Sequence, residues 1–78
     1  MKSFKKHGYE FEKDSDPEGT SRVGVYIHLR GKSHLIGYFR PESEEDPLES
    51  LEDYFNHFGK NLTYEDVQEV IEYHLYKE

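Results

Sequence analysis

Between Arg22 and Arg40 apolar and polar residues alternate on both sides of a single glycine turn, and this pattern leaves few folds open to the chain. Val23, Val25, Ile27 and Leu29 alternate with Arg22, Gly24, Tyr26 and His28. A period of two puts such a set on one face of a β-strand. Gly31-Lys32 then supplies a two-residue II′ turn with glycine at its first central position. In the register set by that turn, Val25 faces Tyr38 and Ile27 faces Ile36, which makes one face strongly apolar. On the other face Tyr26 pairs with Gly37, Gly24 with Phe39, and His28 with Leu35. Each strand glycine then lies across from an aromatic ring that covers its bare backbone.

The rest of the chain supplies one more strand and two helices. Tyr9-Glu10-Phe11-Glu12 alternates and marks residues 4–12 as a first strand, and the turn formers of residues 13–21 form a solvated loop. Arg40-Pro41 ends the sheet. Asp46 is a helix N-cap, with Pro47 at the first helical position and Glu49 completing a capping-box pattern. Leu48, Leu51, Phe55 and Phe58 share one face of this helix, and Gly59 closes it. Thr63 caps the second helix with Asp66 three residues on, Leu62 is placed to staple onto Val67, and the inner face is Val67, Val70, Ile71, His74 and Leu75. The expected fold is a single α+β domain over residues 1–78. Its three-stranded antiparallel sheet is followed by two C-terminal helices, packed on the Val25/Ile27 face. With 78 residues and no cysteine, packing alone must hold it, and twelve aromatic residues supply much of the buried area. No signal peptide or membrane-spanning run is present, which predicts a cytoplasmic protein.

Charge divides the chain. Residues 1–41 hold eight basic and five acidic groups, a net of +3, and residues 42–78 hold two and twelve, a net of −10. Glu42, Glu44, Glu45, Asp46, Glu49, Glu52 and Asp53 put seven acids into twelve residues. Glu65, Glu69 and Glu72 form a stripe at i, i+4, i+7, with successive carboxylates about 6 Å apart along the axis from a rise of ~1.5 Å per residue. That spacing is comparable with the phosphates of a nucleic-acid strand. A solvated face is the bland account of the second helix, and the dipole favours acids at helix N-termini. The run from 42 to 53 exceeds what capping requires and points to an acidic docking surface.

Enzymatic motifs are missing. The histidines at 7, 28, 34, 57 and 74 have no i,i+3 or i,i+4 pairing, His28 and His34 point to opposite faces of the hairpin, and no cysteine is available, so no metal site is expected. Gly31-Lys32-Ser33 lacks the preceding spacing and following helix of a phosphate-binding loop. Asn61-Leu62-Thr63 matches a glycosylation sequon, but Thr63 is accounted for as a cap. No catalytic residue and no cofactor is expected. On the outer face of the sheet Tyr26, His28, Leu35 and Phe39, flanked by Arg22, Arg30, Lys32 and Arg40, could stack single-stranded bases. The −10 half would repel the same backbone, so no tight nucleic-acid complex is expected.

Val23-Gly24-Val25-Tyr26 on a strand, Gly31-Lys32-Ser33 before the next, Leu51-Glu52-Asp53-Tyr54-Phe55 on the first helix, and a second helix ending in Ile71-Glu72 and a charged tail resemble the small phage-encoded anti-CRISPR proteins that block type I surveillance complexes. The resemblance covers residues 23–78. It implies a sheet backed by two helices that binds a Cas protein directly, with a sheet-borne tyrosine taking part, here Tyr26. This chain has fewer residues before its first helix, which implies one strand fewer. The expected function is that of a non-enzymatic, phage-type inhibitor or nucleic-acid mimic, a monomer or homodimer that docks on a basic nucleic-acid-handling protein. Glu45, Asp46, Glu49, Asp53, Glu65, Glu69 and Glu72 are its expected electrostatic anchors, and Tyr26 and Phe39 an apolar hot spot on a second face. The alternative is a small RNA-binding domain using Tyr26, His28, Phe39 and Arg40.

Overall fold

The computed structural model describes residues 3–40 and 46–76. Strands β1 (Ser3–Lys6), β2 (Tyr9–Ser15), β3 (Ser21–Leu29) and β4 (Lys32–Phe39) form an antiparallel meander. Helix α1 (Pro47–Asn56), a 3-10 turn (Gly59–Asn61) and helix α2 (Tyr64–His74) follow. A two-residue strand β5 (Leu75–Tyr76) then pairs with Tyr38 and Phe39 at the β4 edge. The class is α+β with two C-terminal helices, as expected, but the meander has four strands instead of three.

The fourth strand comes from the stretch expected to be one strand over 4–12. It folds back on itself at His7-Gly8, so that Phe4 pairs with Phe11 and Lys6 with Tyr9. Both turn residues have positive φ, 51° and 85°, which is the type I′ geometry that suits the twist of the flanking strands. The second hairpin turns the same way, on Arg30 (φ 52°) and Gly31 (φ 76°), one residue earlier than the expected Gly31-Lys32. The loop between β2 and β3 is shorter than expected. Asp16 Oδ1 accepts from the amides of Glu18 (2.9 Å) and Thr20 (2.8 Å), closing a turn over residues 16–20.

The hairpin register also differs. Leu29 pairs with Lys32 and Tyr26 with Leu35, but Val25 pairs with Gly37 and Val23 with Phe39. Ile36 is therefore an extra residue in β4, a bulge. Beyond it every β4 side chain is shifted by one, and a one-residue shift moves a side chain to the opposite face. Phe39, expected on the outer face, points into the core, and Tyr38, expected in the core, points out.

The core forms between the inner face of the sheet and the helices. Phe4, Phe11, Val23, Val25 and Phe39 meet Leu48, Leu51, Phe55, Val67 and Ile71, all buried. At its centre the Phe4 and Phe11 rings stack at 5.0 Å, and Phe55 of α1 lies 5.5 Å from Phe11 and 6.2 Å from Phe4. Ile27, Ile36, Phe58, Val70 and Leu75 are only partly buried at its margin. The Asp46 side chain caps α1 by accepting from the Glu49 amide, and Thr63 and Asp66 form a reciprocal capping box on α2. Helix α1 stops at Asn56, so Gly59 (φ 55°) does not cap it and instead opens the 3-10 turn. Leu75 is extended and leaves α2 for the sheet, and the exposed His74 stands edge-on to Phe39 at 4.8 Å.

Phe11→Ala is expected to cost ~3–5 kcal/mol, a large part of the roughly 4–12 kcal/mol available to a domain of this length. Ile27→Ala, at the margin, is expected to cost clearly less. Urea unfolding followed by circular dichroism measures both, and equal losses would mean that the core is centred further along β3 than Phe11 and Phe55 imply.

Candidate functional site

Two faces were expected to carry function, and the structure gives them different character. On the outer face of the sheet, Arg22 is buried. Its Nε donates to Asp14 Oδ2 at 2.7 Å, and its guanidinium carbon lies 3.6 Å from the centre of the Tyr38 ring. Tyr26 lies beside it and lies against Gly24, where an added Cβ would come 3.3 Å from the tyrosine ring. Burial, then Glu12, Asp14, Tyr38 and Glu10, push the Tyr26 phenol above the usual tyrosine range. His28 Nε2 lies 2.9 Å from Glu10 Oε1, and Arg40 donates to Asp16 Oδ2 at 2.7 Å. Hydrogen bonds from the Thr20 amide first, opposed by burial, and then from the Glu18 amide with Arg40 and Arg22 nearby, hold the Asp16 carboxyl below its usual value. This face thus carries the carboxylates of Glu10, Glu12 and Asp14 among its aromatic and basic groups. Phe39, the expected stacking partner for RNA bases, is not on it.

The helices carry charge of one sign. Residues 46–76 contain eight carboxylates and one lysine, Lys60. Glu49, Asp53, Glu65, Glu69 and Glu72 are exposed, and Asp46, which caps α1, is half-buried. Glu45, with Glu42 and Glu44 of the expected acidic run, lies outside the described residues. Asp46, Glu49, Glu52 and Asp53 line one shallow depression on α1. Among the described residues Arg22 pairs with Asp14 and Arg40 with Asp16, His28 is hydrogen-bonded to Glu10, and none of these contacts reaches a carboxylate of either helix.

The expected stripe on α2 is divided between two flanks. Glu69 lines a groove with Asp66, Val70, Tyr73 and His74 of α2 and with Tyr54 and Phe58 on the α1 side. Glu72 lies near Tyr9, which stacks on Tyr64 at 5.7 Å with the two hydroxyls 3.1 Å apart. The groove is a feature that the charge pattern alone does not reveal. Spacing places residues 66, 69, 70 and 73 on one face of α2 at i, i+3, i+4, i+7 and residues 54 and 58 one turn apart, but it does not bring the two sets together. His7 Nε2 lies 2.8 Å from the Leu62 carbonyl oxygen and ties the first hairpin to the connection between the helices. Among the described residues no group of three His, Cys, Asp or Glu is placed to hold a metal ion, and no helix is long and apolar enough to cross a membrane.

No protein-family model, curated protein or solved structure matches the chain.

Burial first, then the hydrogen bond and charge of Tyr64 and the charge of Glu72, push the Tyr9 phenol from its usual value near 10 to about 12. A raised folded pKa means that the neutral phenol is favoured by folding. Its contribution is therefore complete below pH ~10 and lost as pH rises through about 12. Absorbance titration of phenolate is expected to show late-titrating tyrosines, Tyr26 and, raised furthest, Tyr9. The Tyr9 pKa should fall in Tyr64→Phe and fall by less in Glu72→Gln, and an unchanged titration in both would mean that α2 does not pack against Tyr9.

Proposed function

We propose that the chain is a small non-enzymatic binding protein that docks through its acidic helices on a basic nucleic-acid-handling protein or complex. It acts there as a nucleic-acid mimic, the phage-type inhibitor that its resemblance to anti-CRISPR proteins implies. The observation that carries this reading is the one-sided charge. The arginines Arg22 and Arg40 pair with carboxylates of β2 and its loop, whereas the exposed carboxylates of α1 and α2 have no cationic partner among the described residues. A field of one sign over two adjacent helices attracts a basic channel and raises the rate of encounter. Glu49, Asp53, Glu65 and Glu69 are the anchors, with Asp46, Glu45 and Glu72 adding to the field. Tyr26, beside Tyr38 on the outer sheet face, offers a smaller second contact.

The test is capture of a partner by the parent chain and by a variant carrying Glu49→Lys, Asp53→Lys, Glu65→Lys and Glu69→Lys. The parent is expected to retain a basic nucleic-acid-binding protein, identified by mass spectrometry. Capture should weaken steeply as salt rises past 0.1 M, where exposed charges are screened beyond roughly 10 Å. The variant is expected to lose that partner. Its melting temperature should hold, because relief of repulsion between the helices offsets the dipole interaction lost at their first turns. A folded variant that retains the same partner equally well overturns the proposal.

A further inference from the structure

The groove between α1 and α2 combines features that neither solubility nor capping accounts for. Tyr54 and Tyr73 leave 49% and 84% of their surface exposed, although a chain this short has few aromatic rings to spare from its core. The Tyr54 ring is held edge-to-face against Phe58 at 5.6 Å. Tyr73 is held likewise against His74 at 4.8 Å, and His74 in turn packs on Phe39 of the core. The rings are thus oriented by their neighbours and remain open to solvent. Two carboxylates share the groove. Asp66 Oδ2 accepts from the Thr63 amide at 3.1 Å, which leaves its other oxygen free of that bond, and Glu69 has no hydrogen-bond or ion-pair partner among the described residues.

We infer that this groove is a receptor for one arginine side chain carried on a basic segment of the partner. The inference rests on the docking proposed above and names the contact that gives it register. Aromatic rings attract a cation within about 6 Å of their centres, and carboxylates beside them add a charged hydrogen bond. A guanidinium satisfies both at once, because its plane lies flat on a ring while its edge forks to a carboxylate, whereas an ammonium is a compact point charge. The volume, about 290 Å³, is at the lower limit of ligand pockets and suits one side chain. The charge excludes an acidic occupant, with eight carboxylates and one lysine over residues 46–76. A second copy of this chain would bring the same acidic surface into contact with itself.

The experiment is an NMR titration of the full chain with a capped Gly-Arg-Gly peptide, its lysine counterpart and its neutral citrulline counterpart. Saturable shifts are expected at Tyr54, Glu69 and Tyr73 with arginine, weaker shifts with lysine and none with citrulline. Tyr73→Ala keeps the charge, and at 84% exposure its side chain is not needed for folding. It is expected to weaken arginine binding about two- to fivefold, the range for one exposed cation–π contact. Glu69→Gln should weaken it as well, and Glu12→Lys with Glu18→Lys, exposed on the sheet side and outside both helices, should leave the shifts at Tyr54 and Tyr73 in place. Equal shifts with citrulline, or arginine shifts spread over all the acids and indifferent to Tyr73→Ala, overturn the receptor and leave the docking proposal standing. Arginine shifts confined to the groove of the parent chain, when the fourfold lysine variant still captures the partner, overturn the docking surface and the assignment of the arginine to that partner, and leave only an arginine-binding groove.

Discussion

In the hairpin of β3 and β4, Ile36 is the one residue for which β3 offers no partner, and the position of every later side chain depends on it. From Leu29 to Tyr26 the strands pair in the register set by the Arg30-Gly31 turn, and from Val25 onward they pair one residue out of step. Without the bulge Phe39 would face solvent and Tyr38 would enter the core. With it, Phe39 closes the inner layer above Val23 and meets the edge of His74 on α2. Tyr38 is left outside, where its ring lies under the Arg22 guanidinium. Seating α2 and assembling the outer face both follow from that single insertion, and a bulge of this kind also tightens the local twist.

The same topology separates the charges. Strand β2 and its loop place Glu10, Glu12, Asp14 and Asp16 next to the basic positions of β3 and the end of β4. Asp14 and Asp16 pair with Arg22 and Arg40, and Glu10 is hydrogen-bonded to His28. The sheet thereby neutralises much of its own charge, and the helices do not. Part of the helical charge is accounted for by stability, since Glu49, Glu65 and Asp66 lie in first turns, where a carboxylate gains about 0.3–1 kcal/mol from the dipole. Glu52, Asp53, Glu69 and Glu72 lie beyond those turns. Glu69 lies at mid-helix, where the dipole gives it nothing, and Glu72 lies in the last turn of α2, where the same interaction is unfavourable. Acids kept where the helix gains nothing from them are the ones that call for a partner.

The sequence showed the elements whose signals are local. Asp46, Thr63 and Asp66 are caps because one side chain reaches one amide three residues away, so the helix starts were readable. The alternation from Val23 to Leu29 was readable for the same reason. The division of residues 4–12 into two strands was not, because the turn rests on His7, which has no strong turn preference, and only Gly8 hints at it. The second turn was misplaced by one residue because Arg30 adopts a positive φ that the sequence does not advertise. The bulge was unreadable, since Ile36 is as apolar as its neighbours. Exchange of Phe39 and Tyr38 follows from that error alone. Of the candidate site, the exposed acids of α1 and α2 were legible from helical spacing. The groove depends on how closely two helices approach, which spacing along one chain cannot supply.

Charge and groove do different physical work. Exposed carboxylates act over a Debye length and bring a basic partner to the helices in many orientations, but they discriminate poorly among basic surfaces. A ring-lined pocket acts only on contact and only on a cation presented in one geometry, and truncation effects at interfaces concentrate on such aromatic and arginine contacts. The two are adjacent here, because Glu69 belongs to both the stripe and the groove. A cation drawn in along α2 therefore arrives at Tyr73 and Tyr54 without leaving the field that attracted it. Long-range attraction supplies the encounter, and the groove between the helices fixes its register.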